Sequence, residues 1–213
     1  MGSVHSAGRA GSRGSGERAR RVPAQARQVA AGTLLFRRGD ALREVYAVEA
    51  GVVQVSRRVD PRRCRIIGLA LAGDVVGCEA LSGGVYGGDA VVARDARIRA
   101  IDPWRWSRAA SGSALAQLLG LADVQMVRMV RQAARLRLAG RERVADFLLQ
   151  LAERAGGVEI ELPLEGKAVA DYLGLRPESL SRILRRLAEA RCLRRAGPMR
   201  FELDVDGLRR LSA

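Results

Sequence analysis

Polar and apolar positions change rhythm three times along this chain. Residues 1–24 show no apolar periodicity: Arg9, Arg13, Arg18, Arg20 and Arg21 are spaced by Gly and Ser against a single acid, Glu17, the pattern of a disordered basic tail. From residue 25 to 112 the apolar residues fall in short β-branched runs at 33–36, 45–48, 52–55, 66–69, 75–76 and 89–92. Turn signals separate these runs at Gly39-Asp40, Glu49-Ala50-Gly51, Asp60-Pro61, Gly73-Asp74 and Gly83-Gly84. Runs this short between such turns predict a small antiparallel β-roll rather than helix–strand alternation. Gly-x-Gly-x-x-Gly is absent, so a dinucleotide or P-loop site has no support.

Residues 113–138 lack proline and read as one long helix. Leu115, Leu119, Ala122, Met126, Met129, Ala133 and Leu136 recur at spacings of 4, 3, 4, 3, 4 and 3, a heptad seam. A second apolar row, Leu118, Leu121, Val124, Val127 and Val130, runs beside it. One row then packs on the helix's own β-domain while the seam meets a second copy, which makes the chain a homodimer. The competing arrangement puts both rows into the core of one domain. Ala and Met soften the seam and make it adjustable.

Beyond Ala139-Gly140 helical periodicity resumes over residues 141–153, with Val144, Phe147, Leu148 and Leu151 on one face. Gly156-Gly157, a short strand at 158–162 and Pro163 follow. Two helices at 167–173 and 177–190 then flank the tight turn Gly174-Leu175-Arg176, the spacing of a helix-turn-helix. Pro177 suits the first turn of the second helix, where its missing N–H costs nothing, and Glu178 and Ser179 suit that positive end. Residues 192–195 and 200–203, joined through Gly197-Pro198, predict a two-stranded wing. The chain thus divides into a basic tail (1–24), a β-roll sensor-like domain (25–112), a dimerisation helix (113–138) and a winged helix-turn-helix (139–213), an α+β fold.

The 213 residues are 48% hydrophobic, enough to bury two modest cores. Their 37 basic and 23 acidic residues leave a net charge of +14, which favours an anionic partner, nucleic acid before a membrane surface. The excess divides as +4 in the tail, +5 in the β-region, +3 in the long helix and only +2 over residues 139–213. Within 165–200, however, nine basic residues stand against four acidic ones, a local +5. Arg182, Arg185 and Arg186 share one face of the second helix, and Leu180, Ile183, Leu184 and Leu187 occupy the other. Combined with a basic wing, that face is better suited to phosphate contact than to mere solvation. The single histidine, His5, argues against a histidine triad or a multi-histidine metal site. Three widely spaced cysteines, Cys64, Cys78 and Cys192, fit a reduced cytoplasmic protein. No run nears the ~18 apolar residues of a membrane span, and no constellation of residues suggests an enzyme.

The run Val169-Ala170-Asp171-Tyr172-Leu173-Gly174-Leu175-Arg176-Pro177-Glu178-Ser179-Leu180-Ser181-Arg182-Ile183-Leu184 resembles the helix-turn-helix of the Crp/Fnr superfamily of transcription regulators, in the form of its Fnr/FixK branch. Gly39-Asp40, residues 45–51 and Gly73-Asp74-Val75-Val76-Gly77 resemble that superfamily's β-roll, a cyclic-nucleotide-binding-like jelly roll, so the likeness covers about residues 25–205. The resemblance implies that Glu178, Ser181 and Arg182 contact base edges in the major groove. Their chemistry agrees: Arg182 can bond guanine O6 and N7, Glu178 can accept from cytosine N4, and Ser181 can do either. Lys167, Arg176, Ser179, Arg185, Arg186 and Arg200 are then the candidate phosphate contacts. Pro177 stands where the cyclic-AMP receptor branch has an arginine, which favours a TTGAT-type half-site and its inverted repeat. The implied partners are double-stranded DNA, RNA polymerase and a second copy of the chain, and the implied role is activator, with the hinge near Ala139-Gly140 resetting the recognition helices.

On the effector side the chain departs from the family's familiar sensors. Where cyclic-nucleotide binders grip the phosphate with an Arg-Ser or Arg-Thr pair, this chain has Val85-Tyr86-Gly87-Gly88-Asp89-Ala90, and an aspartate repels the anion. Residues 1–36 hold no cysteine, so the iron–sulfur cluster of Fnr is not expected, nor is any other cofactor. Two alternatives keep the same architecture: Cys78 as a haem thiolate or redox thiol, and Cys192, near Arg191 and Arg194, as a redox thiol that blocks DNA docking when oxidised. For both, burial as a small hydrophobe competes. A reading of another class makes the roll a ligand binder and the winged helix a protein-binding module. Trp104 and Trp106, flanking Arg105, are expected to pack at the exit of the roll.

Overall fold

The computed structural model describes residues 25–61, 63–104 and 112–212, and of residues 112–119, 121, 122 and 212 the backbone alone. The basic tail and Trp106 therefore lie outside the described residues. The roll is built from β1 (Arg27–Val29), β2 (Leu34–Phe36), β3 (Val45–Asp60), β4 (Arg63–Ala70), β5 (Val75–Val76) and β6 (Asp89–Ile101), with a short helix α1 (Ala80–Gly83). All pairings are antiparallel: β1-β6-β3-β4 form the main path, β2 adds to β6 and β5 to β3. Val45, Val48, Val53, Val92 and Ile98 are fully buried at its centre, and Phe36 stacks on Tyr86 with ring centroids 3.8 Å apart.

Two of the expected strands, 45–48 and 52–55, prove to be one. Glu49-Ala50-Gly51 is not a turn but an irregular stretch inside the 16-residue β3, where the register against β6 slips on both sides of Ala50. Gly51 has φ +86°, and a β-carbon there would lie 2.3 Å from the Asp95 carbonyl oxygen. The glycine is needed for a bulge that lets β6 pass close. The strand at 89–92 likewise runs on to Ile101, because Ala96 and Ile98 bury while Arg97 and Arg99 face out to Glu49.

The long helix α2 spans Gly112–Arg135 and ends three residues before the expected boundary, in a turn over 136–138. The C-terminal domain holds α3 (Gly140–Ala155), β7 (Glu159–Glu161), α4 (Gly166–Tyr172), α5 (Pro177–Glu189), β8 (Leu193–Arg195), β9 (Arg200–Leu203) and α6 (Val205–Ser212). The wing is three-stranded in the order β7-β9-β8, and α6 was not foreseen. Val144, Leu148, Val169, Leu173, Leu187 and Leu208 are the largest fully buried side chains of this domain. Val52 of the roll is buried in this same cluster, with Ile66, Leu69, Leu71 and Ala93 against it, so the roll and the C-terminal domain meet across an apolar junction.

Candidate nucleic-acid interface

Local chemistry sets the geometry of α4 and α5. Gly174, at φ +67°, closes α4 in the left-handed conformation, and the Gly174 and Leu175 N–H groups donate to the Asp171 and Ala170 carbonyls. Pro177 begins α5 as expected. Leu180 and Leu187 bury, Ile183 and Leu184 half-bury, and this inward stripe turns Glu178, Ser181, Arg182, Arg185 and Arg186 to solvent. Ser179 is half-buried, while Lys167, Arg176 and Arg200 are exposed.

Electrostatics separate these cations. Among the described residues, Lys167, Arg176, Arg182 and Arg186 take part in no ion pair, whereas Arg185 lies 3.8 Å from Glu189 and Arg200 3.6 Å from Glu161. The wing is less basic in practice than in composition: Arg194 pairs with Glu202, and Arg195 donates to the Gly197 and Pro198 carbonyls at 3.1 and 2.9 Å. The available positive charge is therefore concentrated along α5 and at the start of α4.

The described part of the seam is uncovered. Met126, Met129 and Leu136 are 64%, 54% and 42% exposed, and Ala133 is exposed too; the side chains of Leu115, Leu119 and Ala122 lie outside the described residues. Val124, Val127 and Val130 are also exposed, and the side chains of Leu118 and Leu121 lie outside the described residues; for the described part of the second apolar row this corrects the expectation that it packs on the roll. A polar row does that instead. Gln132 donates to the Ile67 carbonyl at 2.8 Å and Arg128 pairs with Asp74, both on the roll, while Arg135 of the same row turns to α3, pairing with Asp146 at 2.6 Å and donating to Gln150. Sequence reasoning missed this row, although Gln125, Arg128, Gln132 and Arg135 recur at spacings of 3, 4 and 3, a polar heptad stripe between the apolar ones.

Arg143 ties the turn after α2 to the end of α4: it donates to the Leu136, Leu138 and Leu173 carbonyls at 2.9, 2.8 and 2.8 Å. The roll, α2 and α3 also enclose a cavity of about 460 Å³ whose lining includes Arg57, Glu79, Arg128, Arg131, Glu153 and Arg154. In the segment read as the phosphate-grip position, Asp89 accepts the Arg38 N–H at 2.8 Å, so those residues do not fit a cyclic phosphate.

The cysteines differ in setting. Cys192 is buried, its thiol directed at the Ala190 carbonyl at 3.6 Å, and not presented beside Arg191 and Arg194 as a surface group. Cys78 is half-buried, and burial followed by Glu79 pushes its thiol up to about 11, which keeps it protonated at neutral pH. Cys64 is exposed on β4. Trp104 is 52% exposed. Among the described residues no group of His, Cys, Asp and Glu could hold a metal, and no helix is long and apolar enough to cross a membrane.

An exposed, cation-bearing helix raised on a winged two-helix motif is a DNA-binding module, and its attachment to a β-roll through a long helix defines a two-domain regulator of transcription. Residues 26–110 match the cyclic nucleotide-binding domain family and residues 142–211 the Crp-like helix-turn-helix domain family. The nitrogen fixation regulation protein FixK of Rhizobium meliloti is 31% identical over 163 residues, covering 74% of this chain and 72% of the relative. FixK of Azorhizobium caulinodans is 33% identical over 181 residues, covering 79% and 71%. The structure of FixK2 from Bradyrhizobium japonicum superimposes with a TM-score of 0.82 at 26% identity, over 90% of this chain and 98% of that one. The chain belongs to the Crp/Fnr family of transcription regulators; its relatives are regulators, not enzymes.

Proposed function

We propose that this regulator acts as a homodimer that binds an inverted repeat of TTGAT-type half-sites and activates transcription through RNA polymerase. The observation that carries the reading is the joint exposure of Glu178, Ser181 and Arg182 on the first turns of α5, backed by the buried Leu180 and Leu187. Inserted into a major groove, these three have the donors and acceptors to distinguish bases, while Lys167, Arg176, Ser179, Arg185, Arg186 and Arg200 flank them toward the phosphates. Support for the dimer is the uncovered apolar seam on α2, since a face holding Met126, Met129, Val130 and Leu136 gains by burial against a second copy. Two-fold symmetry then demands an inverted repeat with half-sites about one helical turn apart.

A gel shift with a TTGAT palindrome, at several salt concentrations, tests the reading. Wild type is expected to prefer the palindrome over random DNA, and a Glu178→Ala/Arg182→Ala protein to lose that preference. If wild type itself does not discriminate, the protein-binding alternative takes over. Transcription in vitro from a promoter carrying the operator gives the sign, with activation expected.

The regulator works without a resident haem, iron–sulfur cluster or cyclic nucleotide. The protonated Cys78 and the position of Asp89 support this reading. Its expected signatures are no Soret band in the purified protein and no heat on titration with cyclic AMP; either signal would replace it with a sensor of the same architecture.

A further inference from the structure

Asp74 is 2% exposed, yet its carboxylate faces two arginines. It sits in the turn between β4 and β5, where the backbone is already satisfied: its N–H donates to the Leu71 carbonyl, and its own carbonyl accepts the Val48 N–H. Its carboxylate accepts the Leu71 N–H at 2.9 Å, and otherwise serves two distant elements. Arg154, in the last turn of α3, binds it through both guanidinium nitrogens at 2.9 and 3.1 Å, and Arg128 of α2 pairs with the same carboxylate. One buried carboxylate thus joins the roll, the long helix and the helix that leads into the DNA-binding domain.

We infer that Asp74 is a positioning residue for DNA recognition, fixing α3 and the helix-turn-helix built on it at one angle to the long helix. This rests on the proposed reading of the protein as a dimer on an inverted repeat. A bidentate guanidinium–carboxylate pair is geometrically demanding, and withdrawing either arginine leaves a buried charge short of partners, so the junction holds discrete arrangements rather than a continuous range. Val144, Phe147, Leu148 and Leu151 of α3 are buried in the C-terminal core, so turning α3 turns α5. In a dimer the set of the two α5 helices fixes which half-site separation fits. Partial burial lowers the pKa of both Arg128 and Arg154, whose side chains remain 33% exposed around the buried carboxylate.

The test measures affinity by fluorescence anisotropy for wild type, Asp74→Asn and Arg154→Met. Each is titrated with duplexes carrying two TTGAT-type half-sites at a series of separations, with a single half-site, and with random duplex. Asn keeps an acceptor for the Leu71 N–H but not the charge; Arg154→Met leaves Asp74 paired with Arg128 and the roll satisfied. Wild type is expected to show a narrow optimum of separation. Both variants should bind roughly tenfold more weakly at that optimum, with the optimum broadened or displaced, while single half-site and random-duplex affinities stay within about twofold. Variants with the wild-type optimum and affinity overturn the inference, as does an equal loss on every duplex, which marks general unfolding. A wild type with no preference for any inverted repeat overturns the DNA reading itself.

Discussion

Arg182 and Arg186 lie one helical turn apart on α5, both exposed, yet their substitution should give different signatures. On the proposed reading, which gives Arg182 to a base edge and Arg186 to a phosphate, Arg182→Ala should cost about 1–3 kcal/mol on the preferred half-site and relax specificity at one base pair. Arg186→Ala removes a phosphate contact; binding should weaken uniformly over sequences, with the salt slope reduced by about 1 per protomer. Competition binding against single-base operator variants at several salt concentrations separates the two. These side chains were legible in the sequence because a helix of alternating Leu and Arg can turn only one face inward. The cysteines were not, since burial is a tertiary property. With its thiol held near about 11 by burial and Glu79, Cys78 should alkylate slowly at pH 7, its rate climbing until the pH passes that value, while exposed Cys64 reacts first. Peptide mass mapping after timed iodoacetamide treatment checks the order, and fast labelling of Cys78 at pH 7 would contradict it.

At the scale of elements, α2 shows what periodicity does and does not say. The heptad spacing identified residues sharing a face, and the exposed Met126, Met129 and Leu136 keep it available to a partner. It could not say that the roll would be met by Gln132 and Arg128, and α3 by Arg135, because apolar rows are assigned to cores by default and polar rows to water. Met129→Glu should therefore leave the monomer fold intact, since Met129 is 54% exposed, but shift sedimentation from dimer toward monomer and weaken palindrome binding more than single half-site binding. In β3 the misread element was Gly51: a glycine after Glu-Ala signals a turn locally, and only the approach of Asp95 from β6 makes it a bulge. Gly51→Ala combines a left-handed backbone with a backbone collision, so it should destabilise the roll by at least about 1–2 kcal/mol in chemical denaturation. A neutral result would show that the strand can re-register.

For the whole molecule, the net charge of +14 foretold an anionic partner without saying where it binds. In the proposed dimer Lys167, Arg176, Arg185, Arg186 and Arg200 occur twice over, and phosphate contacts of that number should make operator affinity fall by about 10³–10⁵ between ~50 and ~200 mM salt. A flat salt profile would exclude α5 and its neighbours as the phosphate-contacting surface. By itself the sequence determined the division into roll, long helix and winged helix-turn-helix, and the exposed polar face of α5, because each depends on local spacing, turn chemistry and the amphipathic rhythm of one element. Only the tertiary structure decided how the domains are joined: Asp74 with Arg128 and Arg154, Gln132 with the Ile67 carbonyl, and Val52 in the core of the other domain. These partners lie tens of residues apart, and no local pattern records which distant charge will share a buried carboxylate.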